Sequence, residues 1–510
     1  MKGKSLLAVI GAVAIINLGS RFIGFFREVV IGFQFGTSYV ADSVITAYTL
    51  PNFFYVVVGG AITTAFISIY SKIGDPLHRE RFLQTVFSWL TVVLVGFTLV
   101  LMVFSEQVIS LLFRGLQGEE LQLTSDLFVI MAPSTFFLVL AMWLTGVLNV
   151  NQRFKMATAS TFLMNASFVV IALVLFPMIG AFSHAYGAII SSFLMVIMLV
   201  YLIRKEKFMR FRFSFAQTKE MGKMIRLGLP ILLGGATLQL YFLIHRIFAS
   251  QLQDGAIAAL NYSSKIVQLP QSVLMTAVTT VIYPLLAKKV AANEHTDIEA
   301  LYQKGLRLMT LLIVPSTIFA FFYAEEIFTL VFEYGQFTRE STLMTAPLFQ
   351  VLVLSMLAHS ANLYITRFFY AKERSVLPVT LSVISVFGIN VGLAILLLDQ
   401  YGAMGLAAAT TTAALMNFVM LLIAAKFVLK LKMTGEGFGK TLLSFIVLFI
   451  SLILVQLGVK MVIPSEMSIL TIVVAGSATL LVFVGVALAF RLPEMEQVKN
   501  LIKKRIVKRG

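Results

Sequence analysis

Apolar stretches of about 20 residues, the length a helix needs to cross hydrocarbon, follow one another some fourteen times along this chain. The first runs near Leu6 to Ile31 and the last near Ser468 to Phe490, with short polar connections between. In lipid every backbone polar group must find its partner inside the chain, so such a sequence is confined to packed spanning helices. Hydrophobic residues make up 59% and charged residues 13%, with a mean hydropathy of +0.93. No aqueous fold of 510 residues could bury that much apolar surface. The expected class is therefore an all-α polytopic membrane protein with about 14 transmembrane helices. Lys2 and Lys4 precede the first run as in a signal peptide, but the run continues past Arg21 without a small-residue cleavage site and reads as a retained span.

A net charge of +16 would suit a nucleic-acid partner, but its placement argues otherwise. If the amino terminus is cytoplasmic, lysine and arginine fall in alternate connections, with the densest groups between Arg204 and Arg226 and between Arg491 and Arg509. The opposite connections keep only Arg114, Arg339 and Lys460, and collect Glu106, Glu119, Glu120, Glu325, Glu326, Glu333 and Glu340. The alternation places both termini inside, and assigns the basic balance to topology and to anionic membrane lipid rather than nucleic acid.

The chain also repeats itself. Arg27 and Arg246, Gly36 and Gly255, Pro51 and Pro270, and Phe113 and Phe332 are each 219 residues apart, and Asp42 falls on Asn261 at the same offset. Six spans per half give both halves the same polarity, as parallel repeats related by an axis along the membrane normal. The expected organisation is two six-helix lobes around a central cavity. These are an N-terminal lobe at 1–203 and a C-terminal lobe at 226–430, joined by a basic cytoplasmic linker at 204–225. Two extra helices at 431–490 and a basic cytoplasmic tail at 491–510 complete the chain.

Charges occur inside the spans: Arg21, Arg27 and Glu28 in the first, Asp42 at the start of the second, His245 and Arg246 in the seventh and Lys265 in the eighth. A charge in hydrocarbon costs roughly 2.5 to 3.5 kcal/mol even on a lenient scale, so these residues must face water or one another. One reading is a cationic cavity that receives phosphate, arginine supplying bidentate contacts and lysine a point charge. Arg21, Arg27, Lys265 and Arg246 are then substrate ligands, with Glu28 and Asp42 orienting the arginines. The other reading is a structural network holding the first two helices together, with Arg246 snorkelling to the interface.

Pro51 with Gly59 and Gly60, and Pro270 at the matching place, interrupt the second and eighth spans, and mark either hinges or ordinary proline kinks. Of the five histidines, His245 and His359 lie well inside spans, read as satisfied core or interface residues ahead of proton-coupling groups; no metal-ligand spacing occurs. The chain has no cysteine, which excludes disulfides and thiolate metal sites. Neither a catalytic constellation nor a Walker-type glycine-rich loop is present, so a transporter is expected rather than an enzyme.

The stretch from Asn17 to Glu28, with Phe35-Gly36, Ala41-Asp42 and Leu50-Pro51-Asn52, resembles the opening signature of the MurJ (MviN) lipid II flippases. These belong to the multidrug/oligosaccharidyl-lipid/polysaccharide (MOP) exporter superfamily. Tyr262-Ser263-Ser264-Lys265 before Leu269-Pro270, Tyr334 to Thr338, and Phe369 to Lys372 are similar to later landmarks of that family. The resemblance extends to the end of the twelfth span and is weak over the last two.

It implies a flippase moving an undecaprenyl-diphosphate-linked peptidoglycan precursor from the inner to the outer leaflet of a bacterial cytoplasmic membrane by alternating access. The last two helices would form a groove for the polyprenyl tail. Arg21 and Arg27 match essential cavity arginines of the family, Lys265 stands where relatives carry a third, Asp42 matches an acidic residue, and Asn52 joins the supporting set. After Pro51-Asn52 relatives place an arginine and then Glu-Gly, where this chain reads Phe53 to Gly60, which leaves the glycan open. Alternatives are another polyprenyl-diphosphate-linked oligosaccharide, a cation or drug antiporter of the same superfamily, or a membrane glycan-transferring enzyme. No cofactor is expected; the driving force would be membrane potential or a coupling ion, and the partners a lipid-linked glycan and the cell-wall synthesis machinery.

Overall fold

In the computed structural model, which describes residues 3–216, 218–292, 294–432, 438–463, 468–490 and 492, every regular element is helical. The chain opens with α1 (Gly3–Phe35) and α2 (Tyr39–Phe54), and a π-helical turn at Tyr55–Gly59 joins α2 to α3 (Gly60–Tyr70). There follow α4 (Pro76–Val103), the short α5 (Ser105–Leu112), α6 (Gly118–Val150), α7 (Phe154–Ile179) and α8 (Phe182–Lys205). Next come α9 (Lys219–Ala249), α10 (Ala256–Ala291), α11 (His295–Phe322), the short α12 (Ala324–Val331), α13 (Arg339–Val353) and α14 (Met356–Ala371). Then α15 (Val376–Val383) runs through a second π-helical segment, Ile384–Asn390, into α16 (Val391–Val428), before α17 (Phe438–Val462) and α18 (Ser468–Ala489).

Helix starts obey their local chemistry. Gly36 leaves α1 with a φ of 61°, and Ser38 caps α2 by accepting from the Ala41 amide at 3.4 Å. Asp75 accepts from the His78 amide at 2.8 Å, with Pro76 filling the first helical position of α4.

Among the described residues nine stretches are long and apolar enough to cross a membrane, or ten if α13 and α14, bent by 41°, count as one span. That differs from the fourteen expected. One stretch, Val376–Val428, runs for 53 residues and contains two expected spans, divided at Gly402, whose φ of 52° breaks the helix. Helices α1, α9 and α10 also have spanning length, at 33, 31 and 36 residues.

The internal repeat appears in the helix boundaries. Both α4 and α11 are 28 residues long and both α5 and α12 are 8, each pair offset by 219. The breaks between them fall at Phe104 and Tyr323, with φ/ψ of −103°/27° and −113°/32°.

By contact density the chain separates into two units. The first comprises Met1–Lys265, Gly335–Phe337 and Leu398–Leu406. Its core gathers on Phe66, Phe82, Trp143 and Leu144, all fully buried, with Phe66 edge-on to Trp143 at 5.6 Å. Small residues let its helices approach closely: an added Cβ at Gly59 would stand 3.0 Å from Met142 Cβ. Apolar side chains such as Val103, Val174 and Met178 remain exposed, as lipid-facing positions must. The second unit comprises Ile266–Tyr334, Thr338–Leu397 and Ala407–Gly510. There α11, α17 and α18 pack through Leu311, Leu448, Leu452 and Ala487.

The connection expected at 204–225 is shorter, because α8 includes Arg204 and Lys205 and α9 begins at Lys219. Nor does it hang free. Ser214 N donates to Ser88 Oγ at 2.7 Å, Gln84 Nε2 donates to Arg210 O at 3.3 Å, and Phe211 meets Phe87 edge-on at 5.4 Å. Its alternating aromatics strap it to α4, a packing that the positive charge concealed. Apart from Leu492, the basic tail at 491–510 lies outside the described residues.

Candidate functional site

Of the charges that the sequence places inside spans, Arg27, Glu28, Arg246 and Lys265 converge within the first unit, on α1, α9 and α10. Arg27 Nη2 donates to Glu28 Oε1 at 2.8 Å, although neighbouring residues point about 100° apart on a helix. The long guanidinium arm bridges that angle because two rings hold it: Tyr48 of α2 and Phe168 of α7 lie 4.9 and 5.1 Å from its central carbon. Such cation–π contacts are each worth about 0.5 to 2 kcal/mol. The arginine side chain keeps 17% of its surface exposed against 4% for Glu28.

The other oxygen of Glu28 is also engaged. Asn261 Nδ2 of α10 donates to Glu28 Oε2 at 2.7 Å, and Asn261 Oδ1 accepts from Arg246 Nη2 at 2.9 Å. Arg246 Nη1 donates to Thr49 Oγ1 at 2.6 Å, and Thr49 passes its own proton to Ile45 O at 2.8 Å. One continuous polar path thus links α1, α10, α9 and α2. Lys265, one turn beyond Asn261, is half-buried and interacts electrostatically with Glu28; among the described residues it has no ion pair.

The balance of charge decides the chemistry this group can do. Among the described residues a single carboxylate, Glu28, stands with Arg27, Arg246 and Lys265, and Arg246 ends on two neutral acceptors. Hydrogen bonds to neutral acceptors are weaker than charge-assisted ones, so a phosphate oxygen competes for the Arg246 fork more readily than for the paired Arg27. The arrangement suits an anion with several oxygens.

Asp42 stands apart from the arginines. Its Oδ2 accepts from Gly255 N and its Oδ1 from Ala258 N, both at 2.7 Å, so this buried carboxylate caps the start of α10 from another helix. Its counterpart across the repeat, Asn261, bonds Arg246 directly.

The remaining expected residues are more dispersed. Arg21 is exposed on α1, without a hydrogen bond or ion pair among the described residues. Asn52 is half-buried and its side chain makes no hydrogen bond among them. Pro51, Gly59 and Gly60 bracket the π-helical turn at Tyr55–Gly59, where the chain leaves the α-helical register; such turns are frequent at functional sites. Pro270, by contrast, is exposed within the uninterrupted α10. Sequence reasoning passed over Thr49, Tyr48 and Phe168, and met Asn261 only as the repeat mate of Asp42. It also passed over His184, fully buried, with Nε2 2.6 Å from Gln34 Oε1.

Comparison with known proteins gives a consistent result. The family described as "Lipid II flippase MurJ" matches residues 31–477, beginning three residues beyond Glu28. A "Probable lipid II flippase MurJ" of Rhizobium meliloti is 28% identical over 432 residues, covering 82% of this chain and 80% of the relative. Another so described, from Buchnera aphidicola subsp. Schizaphis graminum, is 24% identical over 427 residues and 82% of each chain. Among solved structures, a lipid II flippase MurJ in an inward closed conformation superposes with a TM-score of 0.82 at 23% identity, covering 94% of this chain and 98% of that one. An inward-facing multidrug resistance MATE family transporter of the MOP superfamily gives 0.70 at 14% identity, over 83% of this chain and all of that one.

Proposed function

The chain belongs to the lipid II flippase MurJ family, and from that membership we infer that it is a transporter that moves lipid II, the lipid-linked peptidoglycan precursor, across the membrane. The observation that carries the reading is the family match over residues 31–477. The cationic cluster supports it independently, because lipid II presents a diphosphate and the cluster holds three cations around one carboxylate. A cation or drug antiporter would need the opposite balance.

In this mechanism Arg246, Lys265 and Arg27 hold the diphosphate, Glu28 and Asn261 keep the two guanidinium groups in register, and Arg21 meets the headgroup first. Arg246 exchanges its contacts with Thr49 and Asn261 for phosphate oxygens, and regains them when the substrate leaves. The π-helical turn beside Pro51 and Gly60 supplies the bend for alternating access. The protein lies in a bacterial cytoplasmic membrane with both termini inside, and the last two helices carry the polyprenyl tail. With the cell interior negative, outward movement of an anion is downhill by about 2.3 kcal/mol per charge per 100 mV, so membrane potential supplies the driving force.

The test is complementation of a strain depleted of its own lipid II flippase. Arg27→Ala is expected to insert normally and fail to restore growth; full growth with Arg27→Ala would refute the assignment of the cluster.

A further inference from the structure

A second concentration of positive charge lies well away in sequence from the cluster on α1. The ends of α3 and α8, the first turns of α4 and the strapped segment after α8 enclose a pocket of about 780 Å³. Its lining holds four cations, Arg79, Arg204, Lys207 and Arg210, and one carboxylate, Glu80. Only Arg210 reaches that carboxylate, at a loose 3.8 Å; the other three cations have no ion pair among the described residues. Two of them are nevertheless held in place. Arg79 donates through Nε to Ile73 O at 2.5 Å and lies over Tyr70 at 5.5 Å, and Arg204 lies over Phe211 at 5.4 Å.

Four like charges around an open volume repel one another unless an anion enters, and fixed guanidinium groups favour phosphate oxygens. What lies beside the pocket indicates where that phosphate comes from. The same strap continues into Phe213 and Phe215, 63% and 51% exposed, with Phe215 edge-on to Trp89 of α4 at 5.4 Å. An exposed tryptophan is typical of the headgroup level of a bilayer, and the phenylalanines beside it offer apolar surface to acyl chains. A soluble phosphate would need the basic pocket alone; a lipid would use both the pocket and the aromatic ledge.

We propose that the pocket formed by Arg79, Arg204, Lys207 and Arg210 binds the phosphate headgroup of an anionic glycerophospholipid, whose acyl chains lie along Trp89, Phe213 and Phe215. A bound lipid of this kind would pin the strap to α4 and so set the register in which α9 enters the membrane.

The experiment is native mass spectrometry of the full-length protein titrated with phosphatidylglycerol, with phosphatidylethanolamine, and with inorganic phosphate as the soluble arm. The comparison is a Lys207→Ala/Arg210→Ala variant, chosen because both side chains are exposed. Each basic residue near an anionic headgroup contributes roughly fivefold in affinity, so the double variant is expected to bind phosphatidylglycerol about 25-fold more weakly. Phosphatidylethanolamine binding should be weak and equal in both, and millimolar phosphate should not displace the lipid. Equal phosphatidylglycerol binding by the two proteins would overturn the proposal, as would displacement by inorganic phosphate, which would make the site one for a soluble anion. Phe213→Ser/Phe215→Ser provides a second readout: phosphatidylglycerol binding should weaken there too, and unchanged binding would remove the lipid assignment.

Discussion

Asp42 Oδ1 accepts a hydrogen bond of 2.7 Å from the Ala258 amide, 216 residues further along the chain. With the matching bond from Gly255 to Oδ2, this side chain satisfies two backbone amides at the start of α10. Hydrogen bonds of this kind contribute about 1 kcal/mol each. Asp42→Ala should therefore lower stability by about 2 kcal/mol and speed hydrogen–deuterium exchange at residues 255–259, measured in detergent. Exchange there unchanged from the wild type would show that another group caps this helix.

Arg27 and Glu28 form a largely buried pair. Removing Glu28 leaves the Arg27 guanidinium uncompensated at a cost of about 3 kcal/mol or more, whereas removing Arg27 leaves Glu28 still bonded to Asn261 and beside Lys265. Glu28→Ala alone should be strongly destabilising, whereas in an Arg27→Ala background it should cost only about 1 kcal/mol. A double-mutant cycle by thermal unfolding checks this; additive effects would mean that the pair is not coupled.

Gly255 sits at a φ of 84°, and a Cβ there would run into the Thr37 carbonyl. Both the left-handed backbone and the collision penalise any side chain, so Gly255→Ala should lose about 2 kcal/mol or more. Gly24, with nothing within 4 Å of its added Cβ, is the control: Gly24→Ala should change the unfolding temperature little.

Arg246 donates through both terminal nitrogens, to Thr49 and to Asn261. Lysine keeps the charge but cannot span both acceptors. Arg246→Lys is expected to retain the fold and to lower the initial rate of lipid II translocation in proteoliposomes about tenfold, a single charge-assisted contact being worth about 1.4 kcal/mol or more. A wild-type rate would show that the fork is not needed.

If the substrate crosses as an anion, a potassium-diffusion potential imposed on proteoliposomes should bias translocation toward the positive side, and reversing the potential should reverse the bias. Equal extents under both polarities would show that the step carries no net charge.

Much of this protein is legible in one dimension, because hydrocarbon makes the same demand of every residue at a given depth. Run length reveals the helical class, while the offset of 219 that joins Arg27 to Arg246 and Pro51 to Pro270 reappears in the boundaries of α4 with α11 and α5 with α12. The intramembrane charges likewise mark out α1, α2, α9 and α10 as the helices to watch. Which charge meets which partner was settled only by packing. Asp42 and Glu28 are both carboxylates within the first two spans in sequence, yet one caps α10 and the other joins Arg27 to Asn261. Thr49, Tyr48 and Phe168 carry no charge or motif to announce them, and become part of the site because their helices bring them within reach of a guanidinium. A helix's depth and polarity are properties of its own residues; its facing neighbour is a property of the whole chain, and the roles of these side chains depend on that neighbour.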